Sequence, residues 1–349
     1  MEPTPGRKLA YFLQNIKRDE NLTAYQLVLL TAKKLKSVVS LMPLEHPKEV
    51  NSLIQIITEF CKKLLTGSSA VSSLMVNISR RILHIIRDES KERGIRGLHR
   101  ANTLTTLLEG SGRHQGKEMV APGLATFKAE VIKQINELID DEVLLTHESI
   151  ADQAPEHIHS NEVLLTFGMS RCVKDFLVKA REVRSFEVFV VEAAPLFRGH
   201  LMAKDLATAG IPSILIPDSS VYAMMSRVNK VIIGTQLIMA NGGLKTFSGA
   251  YGVCLAAHVH SVPVLVVCGL YKLSPFYPFN HDNFNEMMSP GLVIQQPPVG
   301  QEDLLTVHVP TYDYVPPELI SLYITNEGAF NPFYIYRLLS EHYSQEDTQ

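Results

Sequence analysis

Residues 228–249 read VNKVIIGTQLIMANGGLKTFSG, and this stretch decides the fold. Val231, Ile232 and Ile233 form a short β-branched apolar run that stops at Gly234, the pattern of a strand buried on both faces of a parallel sheet. Asn241, Gly242, Gly243 and Gly249 follow in one glycine-rich stretch. In an α/β domain a loop of this kind stands at the carboxyl end of a strand, where backbone amides and a helix N-terminus hold anions. It lacks the Gly-Lys-Ser/Thr ending of a P-loop and the three fixed glycines of a dinucleotide fingerprint. A tight turn needing φ > 0 beside a buried strand accounts for the same residues.

The same texture extends to both sides. VLLTFG at 163–168, FEVFVVEA at 186–193, IPSILIPD at 211–218 and VPVLVVCG at 262–269 are short apolar runs separated by helix-length spacers. Strands so spaced predict right-handed βαβ crossovers, hence a Rossmann-like α/β domain over 149–349 whose mainly parallel sheet is covered by helices on both faces. Glu192, Asp218 and Gln236 fall just beyond strand ends, where functional side chains gather in such sheets. YDYVPPELI, 312–320, predicts a short helix opened by its two prolines. The aromatic tail (Tyr323, Phe330, Phe333, Tyr334, Tyr336, Tyr343) predicts packing against the domain, with any exposed share suited to an oligomer interface.

Residues 1–148 read differently. Leucine and isoleucine recur at three- and four-residue spacings, as in Leu53, Ile54, Ile57, Phe60 and Leu64, or Met75, Ile78, Ile82 and Ile86, which predicts an N-terminal helical domain. The segment 94–123 interrupts it with GIRGLHR and GSGRHQGKE, the composition of a flexible basic surface loop. Arg93, Arg96, Arg100, Arg113 and Lys117 fit a solvated loop better than a docking site for an acidic partner.

The chain has 349 residues, 46% hydrophobic and 20% charged, enough for sizeable cores in about two domains. A net charge of -3 supports no direct nucleic-acid partner and no anionic membrane. No run suits a signal peptide or a membrane span, so a cytosolic, cytoplasmic protein is expected. Cys61, Cys172, Cys254 and Cys268 lie far apart without a C-x-x-C pair, so buried reduced thiols are expected. His157/His159 and His258/His260 resemble ligand pairs, but residues two apart do not share a helix face, and no metal or cofactor is expected. Ser160 and Ser170 lack a G-x-S-x-G context.

Four segments carry a resemblance: HIHSNEVLLTFGMSR (157–171), VVEAAPLFRG (190–199), SRVNKVIIGTQLIMANGG (226–243) and YDYVPPELI. Together they resemble the alpha/beta/delta regulatory-subunit family of translation initiation factor 2B, over about residues 7–343. That family is similar in turn to methylthioribose-1-phosphate and ribose-1,5-bisphosphate isomerases. In the enzymes, the resemblance implies, a cysteine and an aspartate transfer protons, and this chain has Gly168 and Gln236 at those places. Glu192, Ala193, Ala194, Pro195 replace Glu-Thr-Arg-Pro, removing an arginine fork for phosphate, and Thr246, Phe247, Ser248, Gly249 replace Asn-Lys-Ile-Gly. Glutamine and glycine do no acid–base work near neutral pH, so no catalytic residue is expected.

The resemblance further implies a non-catalytic regulatory subunit of the hetero-oligomeric guanine-nucleotide exchange factor complex that exchanges GDP for GTP on initiation factor 2. Such a subunit serves translation initiation, protein biosynthesis and the integrated stress response by sensing phosphorylation of that factor's alpha subunit. The implied partners are the alpha, gamma, delta and epsilon subunits, with closest pairing to delta, and initiation factor 2 itself. Interface residues are expected at Asn161, Glu162, Arg227 and Asn229, near the mouth of the altered pocket. The alternative is a sugar-phosphate-binding or isomerase member of the same superfamily.

Overall fold

The computed structural model describes residues 5–16, 23–44, 47–65, 70–93, 124–278, 285–294 and 305–344. The chain divides into two compact units, one of residues 1–67 and 71–140, the other of 68–70 and 141–349.

The first unit is helical: α1 (Pro5–Ile16), α2 (Ala24–Leu41), α3 (Pro47–Leu65), α4 (Ala70–Glu92) and α5 (Leu124–Glu137). The periodic positions are its core: Leu53, Ile57, Phe60, Leu64, Met75, Ile78, Ile82 and Ile86 are all buried. On α2, Leu27 and Leu35 are buried while Leu30 is exposed. Thr23 and Gln26 form a capping box at the start of α2: each side chain bonds the other's backbone amide, satisfying two otherwise orphan donors. The segment 94–123, with Arg96, Arg100, Arg113 and Lys117, lies outside the described residues.

The second unit opens with a π-helical turn at Leu138–Leu144, then α6 (Thr146–Asp152) and α7 (Ala154–His157). There follow β1 (Val163–Phe167), α8 (Arg171–Arg181), β2 (Glu187–Val191), α9 (Arg198–Thr208), β3 (Ser213–Ile216), α10 (Val221–Met225) and β4 (Lys230–Ile233). Beyond β4 come β5 (Leu237–Ile238), β6 (Leu244–Phe247), α11 (Ala250–Val259), β7 (Val264–Val267), β8 (Tyr312–Val315), β9 (Leu322–Thr325), β10 (Gly328–Phe330) and α12 (Ile335–His342).

The main sheet has the order β10-β9-β7-β4-β1-β2-β3, parallel throughout except for the antiparallel edge strand β10. All five apolar runs quoted above are strands of it. Both faces are covered: on β1, Leu164 belongs to one core cluster and Leu165 to the other, as the two-residue period of a strand requires.

The glycine-rich stretch makes the tight turn with φ > 0, at Gly242, but not the anion-holding loop. It is not a strand-to-helix loop but a hairpin, β5–β6, which β8 extends into a second, antiparallel sheet of order β5-β6-β8. Asn241 Oδ1 accepts from the Gly243 amide at 3.0 Å, and Gly242, at φ 79°, turns the chain. The Tyr323 hydroxyl donates to the Gly242 carbonyl at 2.6 Å and ties the turn to β9.

YDYVPPELI is corrected in part. Its first four residues are β8, because Asp313 and Tyr314 pair with β6 in the ladder, and the helical turn is confined to Pro317–Leu319. Of the aromatic tail, Tyr323 and Tyr343 are buried, Phe330 stacks on Tyr334, and Phe333 and Tyr336 remain exposed at 89% and 72%.

Candidate functional site

From β1 the chain steps outward to β2 and β3, then returns to the other side of β1 for β4 and continues to β7 and β9. The order therefore reverses between β1 and β4, and the carboxyl ends of those strands form the crevice where open α/β sheets bind ligands. Gly168 ends β1 and Gly234 ends β4. The crevice is crowded at that point: a Cβ on Gly234 would stand 2.3 Å from Ser170 Oγ, so the two loops pack directly on each other.

The open cleft lies beside it, over the carboxyl ends of β1 and β2, with ≈ 330 Å³ of empty space counting its solvent side. Gly168, the loop Ala193–Leu196, Arg198 and Phe247 form its walls, completed by Met288 and Thr311. Gly168 sits at φ 61° with its amide bonded to the Val191 carbonyl at 3.2 Å, which presses the β1 loop onto the end of β2. The Ala194 amide donates to Asp218 Oδ2 at 2.8 Å, so the carboxylate beyond β3 is committed to holding the β2 loop. Glu192 is paired with His200, Oε2 to Nε2 at 3.5 Å.

Among the described residues that line the cleft, Arg198 carries the only charge, and its guanidinium lies 4.8 Å above the Phe247 ring. No lining side chain exchanges a proton near neutral pH. Gln236 is not among them; its amide donates to the Lys245 carbonyl at 3.0 Å, at the root of the hairpin. The N-terminus of α11, the expected anion site, is capped from within: Asp313 Oδ2 accepts from the amides of Gly249 at 2.7 Å and Tyr251 at 3.2 Å.

Asn161, Glu162, Arg227 and Asn229 do come together, but not at the mouth of the cleft. They lie at the amino ends of β1 and β4, the opposite edge of the sheet from Gly168, because β1 spans Val163–Phe167 between Glu162 and Gly168. Glu162 accepts from Lys230 Nζ at 2.7 and 3.0 Å and from the His159 amide at 3.0 Å, while Asn229 Oδ1 accepts from the Val163 amide at 2.8 Å. Both side chains therefore fasten β1 to β4. Asn161, at φ 65°, and Arg227 are exposed.

The histidines are occupied otherwise. His157 stacks on Phe176 at 6.5 Å and His260 sets its edge against Tyr222 at 5.0 Å. No group of three His, Cys, Asp or Glu among the described residues is placed to hold a metal ion. All four cysteines are buried, and burial pushes the Cys254 and Cys268 thiols up to about 12.

Arg198, Met288, Thr311 and Asp313 escaped the sequence reading. Arg198 stood within the quoted VVEAAPLFRG motif and Asp313 within YDYVPPELI; Met288 and Thr311 reach the site from segments with no local signal of their own.

Fold and cleft together define a Rossmann-like α/β domain with a cleft at the carboxyl ends of its parallel strands, the ligand-site architecture of open α/β sheets. The chain belongs to the initiation factor 2 subunit family, whose profile matches residues 3–332. It is 38% identical to translation initiation factor eIF2B subunit beta of Dictyostelium discoideum, over 96% of this chain and 95% of the relative. It is 42% identical to the same subunit of Schizosaccharomyces pombe, over 67% of this chain and 59% of that one. Its structure is similar to the crystal structure of eIF2B beta from Chaetomium thermophilum, with a TM-score of 0.73 and 25% identity over 100% and 94% of the two chains. A chain of the tetrameric eIF2B-beta2-delta2 complex of that fungus gives 0.70 and 25%, over 98% and 96%. The 5-methylthioribose 1-phosphate isomerase of Pyrococcus horikoshii shares the fold at 0.54 and 15%, over 97% and 87%. No helix among the described residues is long and apolar enough to cross a membrane.

Proposed function

We propose that the chain is a non-catalytic regulatory subunit of the complex that exchanges GDP for GTP on translation initiation factor 2, and that it helps sense phosphorylation of that factor's alpha subunit. One observation carries the reading: Arg198 is the only charged side chain lining the cleft at the strand ends among the described residues, and Gly168, which the resemblance sets at the isomerases' cysteine, offers no side chain there. What the fold retains is its surfaces.

Residues 149–349 pair with a delta-type subunit of the same family, and the pairs join alpha, gamma and epsilon subunits in the cytosol. The outward side of α11 supports this, since Tyr251, Leu255 and Val259 are exposed on it and Tyr222 of α10 is exposed nearby. The similar structure described as a tetrameric beta2-delta2 complex supports a delta-type partner. Asn161 and Arg227 are candidates for a second contact at the other edge of the sheet.

Co-expression with the four other subunits, followed by native mass spectrometry and a GDP-release assay on initiation factor 2, tests the reading. Stoichiometric recovery in an active complex is expected, and Leu255→Asp with Val259→Asp is expected to abolish delta pairing. Recovery as a lone homo-oligomer, or turnover of a sugar phosphate, would sink it. A second reading, ligand binding without turnover, is favoured only by Arg198 at the cleft; calorimetry with sugar phosphates tests it, and no heat at millimolar ligand removes it.

A further inference from the structure

The helices α8, α9 and α11 begin around the cleft, where an α/β fold ordinarily holds phosphate, and each N-terminus is crowded or capped by the protein itself. Ser170, at the N-cap of α8, packs on Gly234, where a Cβ would come within 2.3 Å of its Oγ. Gly199, in the first turn of α9, lies so close to the end of β2 that a Cβ on it would stand 2.1 Å from the Val191 carbonyl oxygen. Its amide donates to the Glu192 carbonyl at 2.9 Å. Asp313 occupies the amides of α11. Arg198 is left as the anion-binding group of the cleft.

Arg198 meets a ring rather than a carboxylate, its Cζ lying 4.8 Å above Phe247. No oxygen acceptor holds the guanidinium among the described residues, so its planar fork of donors stays open. Phe247 is itself fixed: it stacks on Tyr312 at 5.7 Å, and Lys245 Nζ lies 4.8 Å over the Tyr312 ring. Tyr312 and Lys245 are buried, so the stack anchors the guanidinium at the rim of the cleft.

The rest of the lining is apolar. Phe167, Met169, Pro195, Leu196 and Met288 border the space, Ser248 and Thr311 supply its only hydroxyls among the described residues, and no acid lines it. A sugar phosphate brings several hydroxyls and a dianion, most of which such walls would leave without a partner. A carboxylate matches one guanidinium fork in both charge and geometry. The ≈ 330 Å³ of space, solvent side included, suits a small ligand. We propose that the cleft binds a small apolar monocarboxylate, its carboxylate on the Arg198 fork and its hydrocarbon against Phe167, Met169, Leu196 and Met288. This rests on the reading of the cleft as a site of binding without turnover, and sets an organic acid there in place of a sugar phosphate.

Calorimetry on the full chain tests it with phenylpropionate, with phenylpropylamine, which has a similar shape and the opposite charge, and with ribose 5-phosphate. The acid is expected to bind saturably at millimolar concentration, about tenfold or more tighter than the amine or the sugar phosphate, the scale of one charge-assisted contact. Arg198→Gln is expected to weaken the acid about tenfold or more at an unchanged melting curve, since Arg198 is exposed. If that variant fails to fold, the comparison of acid and amine on the wild type decides. Ribose 5-phosphate bound as tightly as the acid overturns this ligand class and leaves the binding reading standing; no heat from either overturns both. Equal affinity for acid and amine, or a folded Arg198→Gln chain that holds the acid like the wild type, also overturns the proposal.

Discussion

The carboxylate of Asp313 meets the amide of Gly249 at 2.7 Å, and that contact brings the end of α11 under the control of a strand 64 residues further along the chain. β8 pairs antiparallel with β6 and delivers its acid to the helix that β6 precedes. The four free amides of a helix N-terminus attract anions, and here a side chain meets that demand. Asp313→Ala is expected to cost about 1 kcal/mol, as lost N-caps do, read as a lower denaturation midpoint. Phosphate is expected to raise the midpoint of the variant more than that of the wild type, since only the variant offers those amides.

Gly168 has no room for a side chain at its place on the cleft wall. At φ 61° an added side chain is strained, and its Cβ would meet the Ala193 Cβ at 3.3 Å. Gly168→Ala is expected to destabilise by about 1 kcal/mol. Gly168→Cys is expected to carry the same strain and to give no sugar-phosphate isomerisation, because no proton-transfer group lines the cleft among the described residues. Turnover above background in a coupled assay would contradict this.

The sheet was legible because its strands are buried on both faces, and continuous β-branched runs such as Val231–Ile233 mark such strands. The turn was legible too, since the glycines suit a tight turn with φ > 0, but the hairpin that Asn241-Gly242 closes between Ile238 and Leu244 depends on strands too short to stand out in the sequence. The cleft was only half legible. Gly168 could be placed by its motif, whereas Met288, Thr311 and Asp313 reach the site through long-range packing that no local pattern encodes. For the same reason, Glu162 and Asn229 could be picked out but not placed: sequence does not tell which end of a strand faces the cleft until the strand's bounds are known.

Glu162 and Arg227 should separate by their effects. Glu162 and Lys230 have side chains only 16% and 19% exposed, and the ammonium also donates to the His157 carbonyl at 2.8 Å. Breaking such a pair strands a buried charge, so Glu162→Gln is expected to cost about 3 kcal/mol. Arg227 is exposed, and Arg227→Glu is expected to change stability by less than about 0.5 kcal/mol. If its edge of the sheet contacts another subunit, native mass spectrometry should show weakened assembly for Arg227→Glu at an unchanged melting temperature. An intact complex would remove Arg227 from the interface.

His147 makes stability depend on pH in a defined direction. Its value in the folded chain, about 9, lies above the 6.5 of the unfolded one, chiefly through the hydrogen bond to Asp175. A group raised on folding binds more protons in the native state, so its contribution is complete below about 6.5 and fades as pH climbs through about 9. Cys172 works in the opposite sense, since a lowered thiol stabilises more as pH rises, and it blunts the slope without touching the Asp175 contact. Asp175→Asn keeps the shape and removes the charge that favours the imidazolium. The variant is expected to be less stable than the wild type by about 1–2 kcal/mol at pH 6, the scale of a hydrogen bond to a charged group. The gap should narrow steadily between pH 6.5 and 9 in urea titrations. A gap that stays constant across that window would show that Asp175 acts by packing alone, and that His147 does not carry its proton through it.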